Sequence, residues 1–208
     1  MGNRKSLQGI TRKQLLKFHQ QYYVARNAVI AIVGDVDREQ AEALAQRISG
    51  GLAEGEAAQE LPQPKALQKP QTVNLTHDSQ QSHLLLGHLG MRRDDPDYMA
   101  LYVGNHILGG SGFGSRVLEE IREKRGLSYS AYSYFLPMRK AGPFMMGLQT
   151  RNEKLEEAEA VLRDTLNQFI AEGPTAEELH AAKQNITGGF PLRIDSNRDK
   201  LAYLSMIG

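Results

Sequence analysis

The stretch Ile121-Arg122-Glu123-Lys124-Arg125-Gly126-Leu127-Ser128-Tyr129 reads as the end of a helix, a glycine stop and the start of a strand. Val117, Leu118 and Ile121 give the helix an apolar stripe. Arg122, Lys124 and Arg125 crowd its last turn, where cations suit the negative end of the helix dipole. Gly126 is expected in the left-handed region just past the helix, and from Leu127 the pattern turns aromatic and β-like. A helix end followed at once by a strand brings Arg122 and Tyr129 to one rim. There they offer a fixed cation and a phenolic O–H, the donors that stabilise a carbonyl oxygen turning into an oxyanion. The plainer reading has Arg122 serving the dipole and Tyr129 filling a sheet face.

Upstream of this stretch, Thr11-Arg12-Lys13-Gln14 is a capping-box start, and Leu15, Phe18 and Tyr22 fall at helical spacing. Asn27 breaks that helix, and Ala28 to Val33 is an apolar, β-branched run expected as a buried strand. Asp37 is expected to cap a helix that Gly50-Gly51 stops. Residues 51–70, with Pro62, Pro64 and Pro70, read as a linker. Thr72 to His77 and Ser82 to Leu89 are expected as strands, and Asp95-Pro96 as an N-cap with proline at the first helical position. Downstream come two strands, Leu127–Leu136 and Gly142–Thr150, then a long helix capped by Asn152 and ended by Gly173. Thr175-x-x-Glu178 opens another helix with a capping box. Strands and helices that come in runs, without strict alternation, predict an α+β fold with an antiparallel sheet covered on one face by helices.

Composition narrows the function classes. With 25 basic against 24 acidic residues, nothing points to nucleic acid or to an anionic membrane surface. No apolar run approaches the ~20 residues of a membrane-spanning helix, and Met1 to Ser6 lacks the apolar core of a secretory signal. The absence of cysteine excludes disulfides, thiolate metal sites and thiol nucleophiles. The compartment is left open, with bacterial periplasm or cytoplasm expected for a soluble chain.

Arg-Glu-Lys-Arg-Gly-Leu-Ser-Tyr (122–129), preceded by Leu-Gly-Gly-Ser-Gly-Phe-Gly-Ser-Arg (108–116), resembles the pitrilysin/insulinase zinc-peptidase family, specifically its second, non-catalytic repeat. Lys17 to Tyr23 and Ala28 to Asp37 resemble the closing helix and strand of the family's first repeat. Gly173 to Leu179 and Asn185 to Leu192 resemble late helices of the second. The resemblance therefore implies three parts: a helix–strand–helix tail of one repeat (1–50), the linker (51–70), and a second repeat (71–208) lacking its final helix–strand element. It also implies that Arg122 and Tyr129, seven positions apart, bind substrate and stabilise the tetrahedral intermediate at a metal held by the other half. From it we expect Ala28–Val33 to complete the second repeat's sheet, within one chain or by exchange in a homodimer.

The family's catalytic signature is H-x-x-E-H, two histidine ligands and a glutamate base on one helical face. Here the corresponding place reads His106-Ile107-Leu108-Gly109-Gly110, so glycines stand where the base and second ligand would be. The chain alone is expected to bind no cofactor and to cleave no peptide, with zinc in a partner catalytic half and a peptide as substrate. The rival expectation is a non-enzymatic assembly or peptide-binding subunit with the same fold.

Other constellations are weaker. Gly109, Gly110, Ser111, Gly112, Phe113 and Gly114 form a glycine-rich segment without the Gly-Lys-Ser/Thr ending of a phosphate loop, and it follows a helix. It is expected either as a flexible contact loop or as a tight turn between helices. His83 and His88 differ by an odd number and so point to opposite faces of a regular strand. Together with His77 they read as solvated or core histidines, not as a metal site. Asp35 and Asp37 resemble a D-x-D pair, but Asp37 is better employed as a cap.

Overall fold

The computed structural model describes residues 2–207. The chain divides into two compact units, one of residues 1–60 with 189–208 and one of residues 61–188.

In the first unit, helix α1 (Arg4–Gln8) is followed by α2 (Arg12–Tyr22) and α3 (Arg38–Ser49). α2 and α3 start as expected, because cap and third residue satisfy each other's orphan amides: Thr11 with Gln14, and Asp37 with Gln40. Between them Ala28–Val33 is not a strand, contrary to the sequence expectation. β-branched residues favour extended backbone, but a strand also needs a neighbour to take its ladder hydrogen bonds, and among the described residues of their unit these have none. The segment after α3 is tied down instead. The Ala25 and Arg26 amides donate to the carbonyls of Ala53 and Glu54 at 2.8 and 3.2 Å, and Arg26 pairs with Glu54 at 2.6 Å. Gly55, at φ +61, lets the backbone pass so close to buried Val24 that a Cβ would lie 2.4 Å from it.

The second unit holds the core. Its sheet has three antiparallel strands, β1 (Gln81–Leu89), β2 (Ala131–Phe135) and β3 (Pro143–Arg151), in the order β1-β3-β2. Thr72–His77 was expected as a further strand and has no regular structure, so no fourth strand extends the sheet among the described residues. Register puts Leu84, Leu86, Ala131, Ser133, Phe144, Met146 and Leu148 on one face and Leu85, Tyr132, Tyr134, Met145 and Gly147 on the other. The first face packs under helices with Leu108, Val117, Leu118, Ile121, Ala158 and Leu162. This is the antiparallel sheet with one helical cover that the sequence predicts.

The covering elements are α4 (Tyr98–Asn105), a π turn (His106–Gly110), α5 (Arg116–Leu118) with a second π turn (Glu119–Glu123), and α6 (Leu155–Glu172). α7 (Ala176–Gly189) follows, and α8 (Asn197–Ile207) belongs to the first unit. Two expected caps are displaced. Asp95 forms a turn that accepts from the Asp97 amide at 3.0 Å, and α4 begins only at Tyr98. Asn152 bonds Ser82 and the Ser79 carbonyl at 2.9 and 2.7 Å, anchoring the start of β1 without capping α6. Gly173 ends α6 at φ +71, and Thr175 with Glu178 opens α7 as the capping box predicted.

Glu178 has a second duty. Arg116 reaches it with two parallel bonds of 2.6 Å, donates to the Gly173 carbonyl at 3.0 Å, and lies over the Phe169 ring at 5.1 Å. The hydrogen bond from Arg116 holds the Glu178 carboxyl below its usual range, and the same bond raises Arg116. This clamp fixes the start of α5, and hence Arg122 a turn and a half later, against the α6–α7 junction.

Candidate functional site

α5 begins at Ser115, whose buried side chain accepts from the Leu118 amide and donates to the Gly112 carbonyl at 2.6 Å. Val117 and Ile121 are fully buried and point the helix at the sheet. The helix then widens. The Lys124 amide donates to the Glu119 carbonyl at 2.9 Å, a π-type closure of a kind that recurs at functional sites. Gly126 sits at φ +58, and the amides of Gly126 and Leu127 return to the carbonyls of Arg122 and Ile121 at 2.9 and 2.8 Å. Leu127 is buried, and its carbonyl accepts from the Thr150 hydroxyl. The Ser128 hydroxyl lies 2.7 Å from both the Ser130 and Gln149 carbonyl oxygens. With its two predecessors tethered to β3, Tyr129 is left projecting, 80% exposed.

Arg122 and Tyr129 meet. The guanidinium carbon of Arg122 lies 4.5 Å from the Tyr129 ring centroid and 4.6 Å from that of Phe113. Three cations share this turn, and the local carboxylates are divided unequally among them. Lys124 pairs with Glu119 and Glu120 at 3.2 and 2.6 Å, and Arg125 pairs with Glu120 at 2.5 Å. Lys124, then Arg125, hold the Glu120 carboxyl below its usual range. Among the described residues Arg122 has one loose ion pair, Nε to Glu123 at 3.6 Å. Among the described residues, no hydrogen bond engages the Arg122 fork or the Tyr129 hydroxyl. A cation and a phenol are thus held side by side with their donors unspent.

The glycine-rich segment divides in two. Gly109 is buried in the first π turn, where a Cβ would fall 2.4 Å from Ser133 Oγ and 2.5 Å from its amide nitrogen. At Gly110 a Cβ would come within 2.7 Å of Asn105 Nδ2. Asn105 and Ser133 are themselves joined, Oγ to Oδ1 at 2.7 Å and Nδ2 to the Ser133 carbonyl at 3.2 Å. The helix therefore docks on β2 at Gly109 and crowds against its own Asn105 at Gly110, the two positions where an H-x-x-E-H site needs side chains, and the residues here do not fit a zinc ion. Among the described residues no group of three or more His, Asp or Glu side chains is arranged to hold a metal. Beyond Ser111 the segment turns outward. Gly112, at φ +68, starts a 3₁₀ turn to Gly114 that leaves Phe113 71% exposed.

His83 and His88 stand opposite Gln149 and Phe144 in the β1–β3 register, on opposite faces as their spacing predicts. Asp37 caps α3, accepting from the Gln40 amide at 2.8 Å. An apolar cavity of about 880 Å³ lies in the second unit beside α4 and α6, and none of Phe113, Arg122 and Tyr129 lines it. Among the described residues no helix is long and apolar enough to cross a membrane. The sequence expectation that Arg122 and Tyr129 share one rim agrees with their 4.5 Å contact, but it missed Phe113 over the guanidinium and the Arg116–Glu178 clamp. Both join residues through space with no periodic signal.

Residues 9–186 match the family described as peptidase M16 inactive domain. The chain is 27% identical over 206 residues to YmxG, an uncharacterized zinc protease of Bacillus subtilis, covering 97% of this chain and 48% of that protein. It is 30% identical over 205 residues to an uncharacterized zinc protease of Rickettsia bellii, covering 99% of this chain and 48% of that one. A crystal structure of a peptidase M16 inactive domain from Pseudomonas fluorescens matches with a TM-score of 0.92 at 43% identity, over all of this chain and 49% of that one. The chain spans about half the length of the curated relatives it matches. Its sheet with one helical cover, and the glycines that fill the place of a metal signature, agree with that description: the chain belongs to the peptidase M16 inactive-domain family.

Proposed function

We propose that this chain is the substrate-holding half of a zinc metalloendopeptidase, serving peptide hydrolysis carried out by a separate half that bears H-x-x-E-H and the metal. The observation that carries this reading is the Arg122–Tyr129 pair, joined at 4.5 Å with both sets of donors unspent. As a peptide carbonyl becomes tetrahedral, its oxygen gains charge. The Arg122 fork donates N–H bonds to that charge and Tyr129 donates its O–H, and both gain strength as the charge grows. Donors used in this way lower the barrier more than they tighten ground-state binding. The exposed part of the glycine-rich segment, Gly112 to Gly114, is the contact loop beside them. The glycines at 109 and 110, packed against Ser133 and Asn105, support assigning zinc to the partner half.

The test is reconstitution with a half carrying H-x-x-E-H and a quenched fluorescent peptide. Arg122→Ala or Tyr129→Phe is expected to lower kcat by about 10²–10³ with a much smaller change in KM. Full turnover by both variants rejects the reading. The packing of Gly109 on Ser133 also suits the second reading, a non-enzymatic peptide-binding or assembly subunit, in which these substitutions weaken peptide capture and no turnover is supported. Exchange of Ala28–Val33 between two copies is the competing partner arrangement, tested by the mass of the species in solution.

A further inference from the structure

Phe113 is a large apolar ring left 71% exposed on a glycine-flanked turn, a placement that core packing does not explain. What it does touch is Arg122, whose guanidinium carbon lies 4.6 Å from its centroid. The turn is anchored to the same helix start as Arg122, because Ser115 caps α5 and bonds the Gly112 carbonyl at 2.6 Å. Gly112 at φ +68 then delivers the ring over the cation.

We propose that Phe113 is a positioning residue for Arg122. A phenyl ring attracts a guanidinium through its π face and uses none of its N–H donors, so the fork is held without being consumed. The competing partner is close: Glu123 lies 3.6 Å from Arg122 Nε, and a carboxylate that captured the fork bidentately would occupy the donors the site needs. Tyr129 at 4.5 Å makes a second ring contact, but it is also a donor in its own right. Phe113 has no polar atom and acts only through Arg122. The glycine-rich turn thereby sets the orientation of the cation as well as forming the edge of the site.

The inference rests on the proposed role of Arg122, and two arms keep the two ideas separable. In the first, the chain alone is studied by NMR with labelled arginine. The Arg122 δ-methylene protons are expected to lie upfield under the ring currents, to move downfield in Phe113→Ala and Phe113→Leu, and to return in Phe113→Tyr. An Arg122 signal unmoved by Phe113→Ala overturns the proposal whether or not the chain serves an enzyme. In the second arm, the assembled protein cleaves a quenched fluorescent peptide. Phe113→Ala is expected to lower kcat about 2- to 5-fold, the size of an exposed cation–π contact, with KM essentially unchanged. Phe113→Tyr is expected to restore it, and Glu123→Gln to rescue Phe113→Ala in part. A raised KM with unchanged kcat makes Phe113 a substrate contact and also overturns the proposal. If Arg122→Ala itself leaves turnover intact, the proposed function fails, and the NMR arm still decides Phe113.

Discussion

Ser133 occupies the space that a side chain at position 109 would need: a Cβ on Gly109 falls 2.4 Å from its Oγ and 2.5 Å from its amide nitrogen. The helix that would present a metal signature is pressed onto β2 at that point. We expect Gly109→Ala to cost about 1–3 kcal/mol of stability in urea unfolding, as overpacking does. Adding Ser133→Ala should recover only part, because the backbone nitrogen remains. The double substitution Gly109→Glu with Gly110→His should yield a less stable chain without stoichiometric zinc by metal analysis. A variant that folds as well as the parent and holds one zinc per chain would show that the helix can redock.

The Arg116–Glu178 clamp makes stability depend on pH in a defined direction. Glu178 is held below its ordinary value of 4.5, chiefly by the hydrogen bond from Arg116. A carboxyl depressed in the folded state contributes fully above its unfolded pKa, and the contribution is lost as pH falls through the folded one. Glu178→Gln should therefore cost about 1–2 kcal/mol near pH 7, and the gap to the parent should close as pH drops below about 4. A gap of constant size from pH 7 to pH 3 would contradict this.

Gly126, at φ +58 and with open space where a Cβ would stand, joins the Arg122 turn to residues 127–130, which were expected as the start of a strand but lead irregularly into β2 at Ala131. Gly126→Ala should thus cost only backbone strain, about 1–2 kcal/mol, and Gly126→Asn less. Urea midpoints of the three proteins check the order. Equal midpoints for Gly and Ala would mean that the turn relaxes to another conformation.

Val29 to Val33 form no backbone hydrogen bond from their amides among the described residues. Their amides should exchange with solvent far faster than those of β3 in hydrogen-exchange measurements on the chain alone. Protection that appears with a partner half present, or at high chain concentration, would mark the strand pairing that the sequence suggests and this unit does not supply.

Much of the local structure follows from residues a few positions apart. Thr11 with Gln14, Asp37 with Gln40 and Thr175 with Glu178 cap their helices because donor and acceptor lie within one turn. Gly126 and Gly173 take positive φ where the pattern ends a helix. The candidate pair was legible for the same reason: a helix stop between Arg122 and Tyr129 brings both to one place with little help from the remaining chain.

The errors share a cause. Ala28–Val33 and Thr72–His77 have strand composition but no strand, because a ladder needs a neighbour and local sequence does not say whether one is present. Asp95 and Asn152 have cap chemistry, yet their side chains are taken by a turn and by the start of β1. The sequence by itself determined the capped starts of α2, α3 and α7, the glycine stops after α3 and α6, the α+β class, the nearness of Arg122 to Tyr129 and the missing metal signature. Only the tertiary structure decided that Phe113 covers Arg122, that Arg116 clamps Glu178, and that Ser133 fills the place of a side chain at Gly109. Those contacts join residues 9, 62 and 24 positions apart, and distances across such spans are set by how the helices pack on the sheet, which no short-range pattern encodes.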